Sequence, residues 1–232
     1  MSYRHLLPRL GTGRKIFGLQ YPGAVEGATA VMSLPEMCAI YAGAIREAWP
    51  QGPYYLAGYS LGARIAFETA SQIAAGGGEV RLLALLDGAA GQARIRGLRR
   101  LAYNIAHSLS DLANLEVGRW PAHMLGGIGR DLRRGRTRKQ RRQVVRDFKY
   151  LIMAQSAAYE PALYPHAARL LRGSEYFSGQ YLGWDKYVKG SLEVFDIAGS
   201  HDTIMNEPRV ALVAACLENW MREADLAREK PR

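Results

Sequence analysis

The chain has 232 residues, enough for one α/β domain carrying an insertion to bury a sizeable core without disulfides or metal staples. Its two cysteines, Cys38 and Cys216, show no C-x-x-C spacing, no run approaches the ~18 apolar residues of a membrane span, and MSYRHLLPRLG lacks a signal-peptide core, so a soluble cytoplasmic protein is expected. The net charge of +10 sits almost wholly between Arg130 and Arg146, where nine Lys or Arg face one Asp; the nearly neutral remainder excludes a generally basic surface.

In chain order, KIFGLQ (15–20) reads as a short buried strand closed by the turn YPG. Ser33-Leu34-Pro35-Glu36 matches an S-x-x-E capping box with proline in the first turn, so a helix starts there. Its apolar residues Met37, Ile40, Tyr41, Ala44, Ile45 and Ala48 keep helical spacing, and PQGP (50–53) stops it. A strand, YYLAGY, follows, then the helical pattern LGARIAFETASQIAA running into Gly76-Gly77-Gly78, then VRLLALL (80–86), whose continuous apolar character suits a strand covered on both faces. This βαβαβ order implies a parallel sheet.

From Gly88 to about Tyr159 the strand signal disappears and the chain reads as helices. The α/β order resumes with AARLLR (167–172) and LEVFDI (192–197), and a last helix runs from about Glu207 to Ala224. The expected organisation is a core of 1–87 and 160–232 with a helical lid insertion over 88–159. The basic run lies inside that insertion, where both a solvated helix face or loop and a docking patch account for it. Nucleic acid does not, because no aromatic residue interrupts the run and no binding module accompanies it.

Between YYLA and ARIAFETASQI stands GYSLG, residues 58–62. G-x-S-x-G alone arises by chance in glycine-rich sequences, but here a strand precedes the serine, a helix follows it and small residues flank it. These are the requirements of an elbow that holds a hydroxyl out from a sheet edge. The helix starting at Leu61 directs amide donors toward the place where an oxyanion would develop. Serine needs an imidazole to take its proton and an acid to orient that imidazole. Asp87 ends VRLLALL one βα unit later, with Glu175 and Asp185 as rivals on a following connection and Asp196 as a rival inside a strand. His201 follows LEVFDI by a short turn and reaches the same rim, whereas His5, His107, His123 and His166 lack an adjacent strand end. The candidate set is therefore Ser60, Asp87 and His201, with the Leu61 amide as oxyanion donor. No metal site is expected. Tyr103, Tyr150 and Tyr159 stay unassigned between core and acyl channel.

The stretch GPYYLAGYSLGARIAFETASQIAAGGGEVRLLALLDG, with IFGLQYPG upstream and LGWDKYVKGSLEVFDIAGSHDTIMNEPRV downstream, resembles the thioesterase domains of nonribosomal peptide synthetases and polyketide synthases. The resemblance implies an α/β-hydrolase fold with a helical lid, acting on acyl chains held as thioesters on the phosphopantetheine of a carrier protein, with no bound cofactor. It implies Ser60 as the acyl acceptor, His201 as its base and Asp87 as the orienting acid. The run from Arg130 to Arg146 would then dock or steer an acidic carrier protein. SYRHLLPRL resembles the helix that follows the family's first strand and glycine loop. That strand and loop, with the second oxyanion amide, are accordingly expected to be missing, leaving a sheet edge that favours self-association. A small-molecule serine esterase and a weakly catalytic binding or scaffolding remnant are the competing functional classes.

Overall fold

The computed structural model describes residues 3–11, 13–19, 33–91, 159–175 and 179–229. All of them belong to the first of the two units into which the chain divides, Met1–Ala93 with Ile152–Arg232, the second being Arg94–Leu151. Most of the expected lid therefore lies outside the described residues, as do the basic run, Tyr103, Tyr150, His107 and His123.

Helix α1 (Leu34–Ala48) begins as the sequence predicts. Ser33 Oγ accepts the Glu36 amide, and the Glu36 carboxylate accepts the Ser33 amide at 2.8 Å, which satisfies two of the donors a helix start leaves open. Strand β1 (Tyr54–Tyr59), helix α2 (Leu61–Ala75) and strand β2 (Val80–Leu86) follow, then β3 (Ala168–Gly173), β4 (Leu192–Ile197) and α3 (Val210–Glu229). The four strands form one sheet in the order β1-β2-β3-β4, and every pair is parallel.

Period-two alternation along β2 divides the core. Leu82, Ala84 and Leu86 face one cluster with Val213 and Leu217 of α3 and Ile204, while Leu83 and Leu85 face another with Phe67 of α2, Leu170 and Trp184. A central parallel strand covered on both faces has no polar side to expose, which is why VRLLALL carries apolar residues at both parities. Helices α1 and α2 pack against each other, and α2 lies on β1 and β2.

Four expectations are corrected. Residues 15–19 of KIFGLQ are not a strand, and Ile16, Phe17 and Leu19 are exposed. A strand exists only where its backbone groups find a ladder, and among the described residues β1 pairs on its β2 side alone. In α1, Met37 and Tyr41 are buried but Ile40, Ala44 and Ala48 are exposed, so half of the apolar stripe has no cover among the described residues. The last helix starts at Val210, after a turn containing Pro208, and continues past Ala224 to Glu229. Asp225 holds the added turn to the sheet through the Tyr55 hydroxyl and Arg14. At the other end of the chain, the segment resembling a helix folds as a turn over residues 3–6 and a single 3-10 turn, Leu7–Arg9.

Candidate active site

The carboxyl ends of parallel strands form the rim on which the candidate residues meet. Ser60 sits between β1 and α2 with φ 58° and ψ −121°, a backbone state that side-chain-bearing residues rarely adopt. A serine at a helix N-cap normally turns its oxygen onto the first-turn amides, yet Ser60 makes no such bond. Its Oγ lies instead 3.0 Å from His201 Nε2. A helix start leaves its first amides, here beginning with Leu61, without an intrahelical acceptor, while that of Ala63 donates to Ser60 O at 3.0 Å.

Asp87 ends β2 with φ 49° and is fully buried. Its backbone amide donates to Leu171 O at 2.6 Å, which ties the strand end to β3. One carboxylate oxygen accepts the Gly173 amide at 2.8 Å, and the other lies 2.7 Å from His201 Nδ1. A carboxylate accepts, so Nδ1 carries the proton there and Nε2 presents its lone pair toward Ser60. Such an array has the geometry that a base needs to take a proton from a hydroxyl.

His201 lies in the turn after β4, and the turn is held from within. Ser200 N donates to Thr203 Oγ1 at 2.9 Å, and Arg209 Nε donates to Ala198 O at 2.8 Å. The loop after Asp87 is pinned from two sides: Trp184 Nε1 donates to Gly88 O at 2.6 Å, and Arg64 Nε donates to Ala89 O at 2.8 Å.

The rival residues take other partners. Asp196 is exposed and pairs with Arg172 at 2.5 Å, and that guanidinium holds its carboxyl below the usual range. Glu175 and Asp185 are exposed. His5 accepts from Arg4 at 2.8 Å, and His166 is exposed with its ring against the edge of Tyr164. Tyr159 donates to the buried Glu68. Cys38 is buried, its thiol pushed up to about 12 by desolvation, and burial also raises that of the half-buried Cys216, so neither competes as a nucleophile. Among the described residues no group of His, Cys, Asp or Glu is arranged to hold a metal, and no helix is long and apolar enough to cross a membrane.

Two residues of this site escaped sequence reasoning. Tyr59 stacks on the His201 imidazole, and Tyr3 accepts the Tyr59 amide at 2.8 Å. Tyr59 occupies the variable position of G-x-S-x-G, and no sequence signal distinguished it from a core aromatic.

Comparison with known proteins gives consistent findings. The family model for the Thioesterase domain matches residues 1–116, half of the chain. The chain is 42% identical over 96 residues to indigoidine synthase of Streptomyces lavendulae, a match covering 41% of this chain and 7% of that protein. It is 39% identical over 85 residues to the dimodular nonribosomal peptide synthase of Bacillus subtilis (strain 168), covering 37% of this chain and 4% of that one. The chain thus spans less than a tenth of the length of either relative. Among solved structures, the NocB thioesterase domain in covalent complex with a fluorophosphonate nocardicin G analog superposes with a TM-score of 0.58 at 25% identity, covering 88% of this chain and 79% of that one. The four-domain nonribosomal peptide synthetase AB3403 gives 0.67 at 24% identity over 94% of this chain and 18% of that one.

Proposed function

This chain belongs to the thioesterase-domain family, and from that premise we propose that it releases an acyl, peptidyl or polyketide chain from the phosphopantetheine of a carrier protein through an acyl-enzyme on Ser60. The observation that carries the reading is the continuous relay from Ser60 Oγ to His201 Nε2 at 3.0 Å and from His201 Nδ1 to Asp87 at 2.7 Å. In the first half-reaction Ser60 Oγ attacks the thioester carbonyl while its proton passes to His201 Nε2. The Leu61 amide donates to the oxyanion, and collapse expels the thiolate, which takes the proton from His201 as the thiol leaves. In the second, water or a nucleophile within the acyl chain gives its proton to His201 and attacks the ester. That step restores the Ser60 hydroxyl and yields an acid or a ring. Asp87 stabilises the imidazolium formed in both halves.

The relatives' identity as multidomain synthetases supports a carrier-bound thioester over a free ester. The test has two parts. A fluorophosphonate probe should modify Ser60, located by peptide mass spectrometry, and Ser60→Ala should remove both the adduct and thioester turnover. Acyl release from a phosphopantetheinylated carrier protein should then exceed release from the same acyl group on a simple alcohol. Wild-type protein that fails to label counts against the enzyme, and equal turnover of ester and carrier thioester counts against the carrier.

A further inference from the structure

Tyr59 precedes Ser60 in the chain and makes two contacts with His201 and one with Tyr3. Its ring stacks on the imidazole with centroids 4.9 Å apart and planes 17° apart. Its hydroxyl donates to the backbone carbonyl of His201 itself. Its amide points away from β2, because Ser60 N donates to Leu86 O and successive strand amides alternate in direction, and it is received by the Tyr3 hydroxyl at 2.8 Å. The Tyr3 oxygen also borders the far arm of the elbow, since a Cβ built on Gly62 would lie 3.1 Å from it. One phenol therefore bonds to the residue before the serine and lies near Gly62 beyond it.

The hydrogen bonds at Nδ1 to Asp87 and at Nε2 to Ser60 lie in the plane of the imidazole, so they leave the ring able to rock about the line that joins them. His201 lies in a turn, where no helix or strand ladder restrains its backbone. The Tyr59 ring removes the rocking freedom, and the Tyr59 hydroxyl anchors the turn. An aromatic face over the imidazole also favours the positive charge that develops as Ser60 gives up its proton, a gain realised only during reaction.

We propose that Tyr59 is a positioning residue for His201, with Tyr3 holding Tyr59 in register, so that the base is clamped by the residue next to the nucleophile as well as by Asp87. The proposal rests on the reading of His201 as base. Tyr59 is not a catalytic residue, because its contacts are to the imidazole face and the backbone and not to the reacting atoms.

The test uses the full chain, an acyl N-acetylcysteamine thioester and a fluorophosphonate, with melting temperature recorded for each variant. Tyr59→Leu removes ring and hydroxyl, and kcat and the phosphonylation rate should fall together by about 100-fold, the scale of a displaced reacting group. KM should stay within about twofold, because the loss appears only in the transition state. Tyr59→Phe should keep the ring contact and lose only about fivefold, the scale of one hydrogen bond, and Tyr59→Trp should recover most of the loss seen in Tyr59→Leu. Tyr3→Phe should lower kcat by a similar small factor. Wild-type phosphonylation by Tyr59→Leu, or a loss confined to KM, overturns the proposal. Should Tyr59→Leu fail to fold, wild-type rates for both Tyr59→Phe and Tyr3→Phe overturn it. Activity surviving in Ser60→Ala or His201→Ala overturns the underlying reading instead, whatever the tyrosine variants do.

Discussion

Gly58 and Gly62 approach so closely across the elbow that a Cβ built on Gly58 would lie 1.9 Å from the Gly62 carbonyl oxygen. Both atoms belong to rigid backbone, so neither swings aside. Gly88 closes the third side, where a Cβ would come within 2.2 Å of Ser60 O. Gly58 and Gly88 are thus steric requirements of turning a strand into a helix around an outward serine, whereas a Cβ on Gly62 would meet only the Tyr3 hydroxyl, at 3.1 Å.

Gly58→Ala should force the elbow open, lowering stability by about 1–3 kcal/mol and phosphonylation of Ser60 by about 100-fold. Gly43→Ala is the contrasting case. Gly43 lies within α1 with nothing inside 4 Å of its added Cβ, and alanine there should stabilise by about 0.5–1 kcal/mol. Urea unfolding of the two variants should therefore move in opposite directions from the wild type.

Asp87→Asn should lower kcat by up to about ten-thousandfold while the fold persists. An amide presents one acceptor and one donor, whereas Asp87 accepts from both Gly173 and His201. One of those bonds must be lost or reversed, and reversal at His201 would impose the tautomer that faces Ser60 with a proton. Asp196→Asn should leave kcat unchanged, since its partner Arg172 lies outside the relay. Steady-state kinetics with a small thioester, alongside near-ultraviolet circular dichroism, checks both.

Asp225 is held below its ordinary value first by the Tyr55 hydroxyl and then by Arg14. A carboxyl depressed on folding contributes stability that is complete above its unfolded value of about 4 and is lost as pH falls through the folded value. The side chain is 37% exposed, so solvent screening limits the contribution to about 1 kcal/mol or less. Asp225→Asn should cost that much at pH 7 and converge on the wild type near pH 2. Urea midpoints at the two pH values would reveal a failure to converge.

Reversing four charges in the basic run, Arg133, Arg134, Arg138 and Arg141 to Glu, should slow turnover of a carrier-bound substrate and leave a small thioester unaffected. The effect should shrink at high salt, because steering by exposed charges is screened. Equal losses on both substrates would show that the run serves the fold instead of docking.

Most elements were legible because their signals are local. The Ser33/Glu36 box marks the start of α1, the strand YYLAGY and the unbroken apolar run of VRLLALL mark β1 and β2, and LEVFDI coincides with β4. Elements that depend on distant partners were not. KIFGLQ has strand composition but no ladder among the described residues, and the last turn of α3 exists beyond Ala224 because Asp225 reaches Arg14 and Tyr55, more than 160 residues away. Within the site, the spacing singled out Ser60, Asp87 and His201, while nothing local marked Tyr59 or Tyr3.

By itself the sequence determined the kinds of element, their order, and the order of a hydroxyl, a carboxylate and an imidazole at three strand ends. Short-range periodicity and turn chemistry suffice for that. Only the tertiary structure decided which acid meets the imidazole: parallel register sets Asp87 beside Gly173 and turns one oxygen to His201, while Asp196 goes to Arg172. It also decided that Ser60 forgoes capping α2 to face an imidazole 141 residues away, and that Tyr59 covers that imidazole. The reason is geometric. Such contacts depend on strand register and backbone angle at the elbow, which no window of the sequence encodes alone.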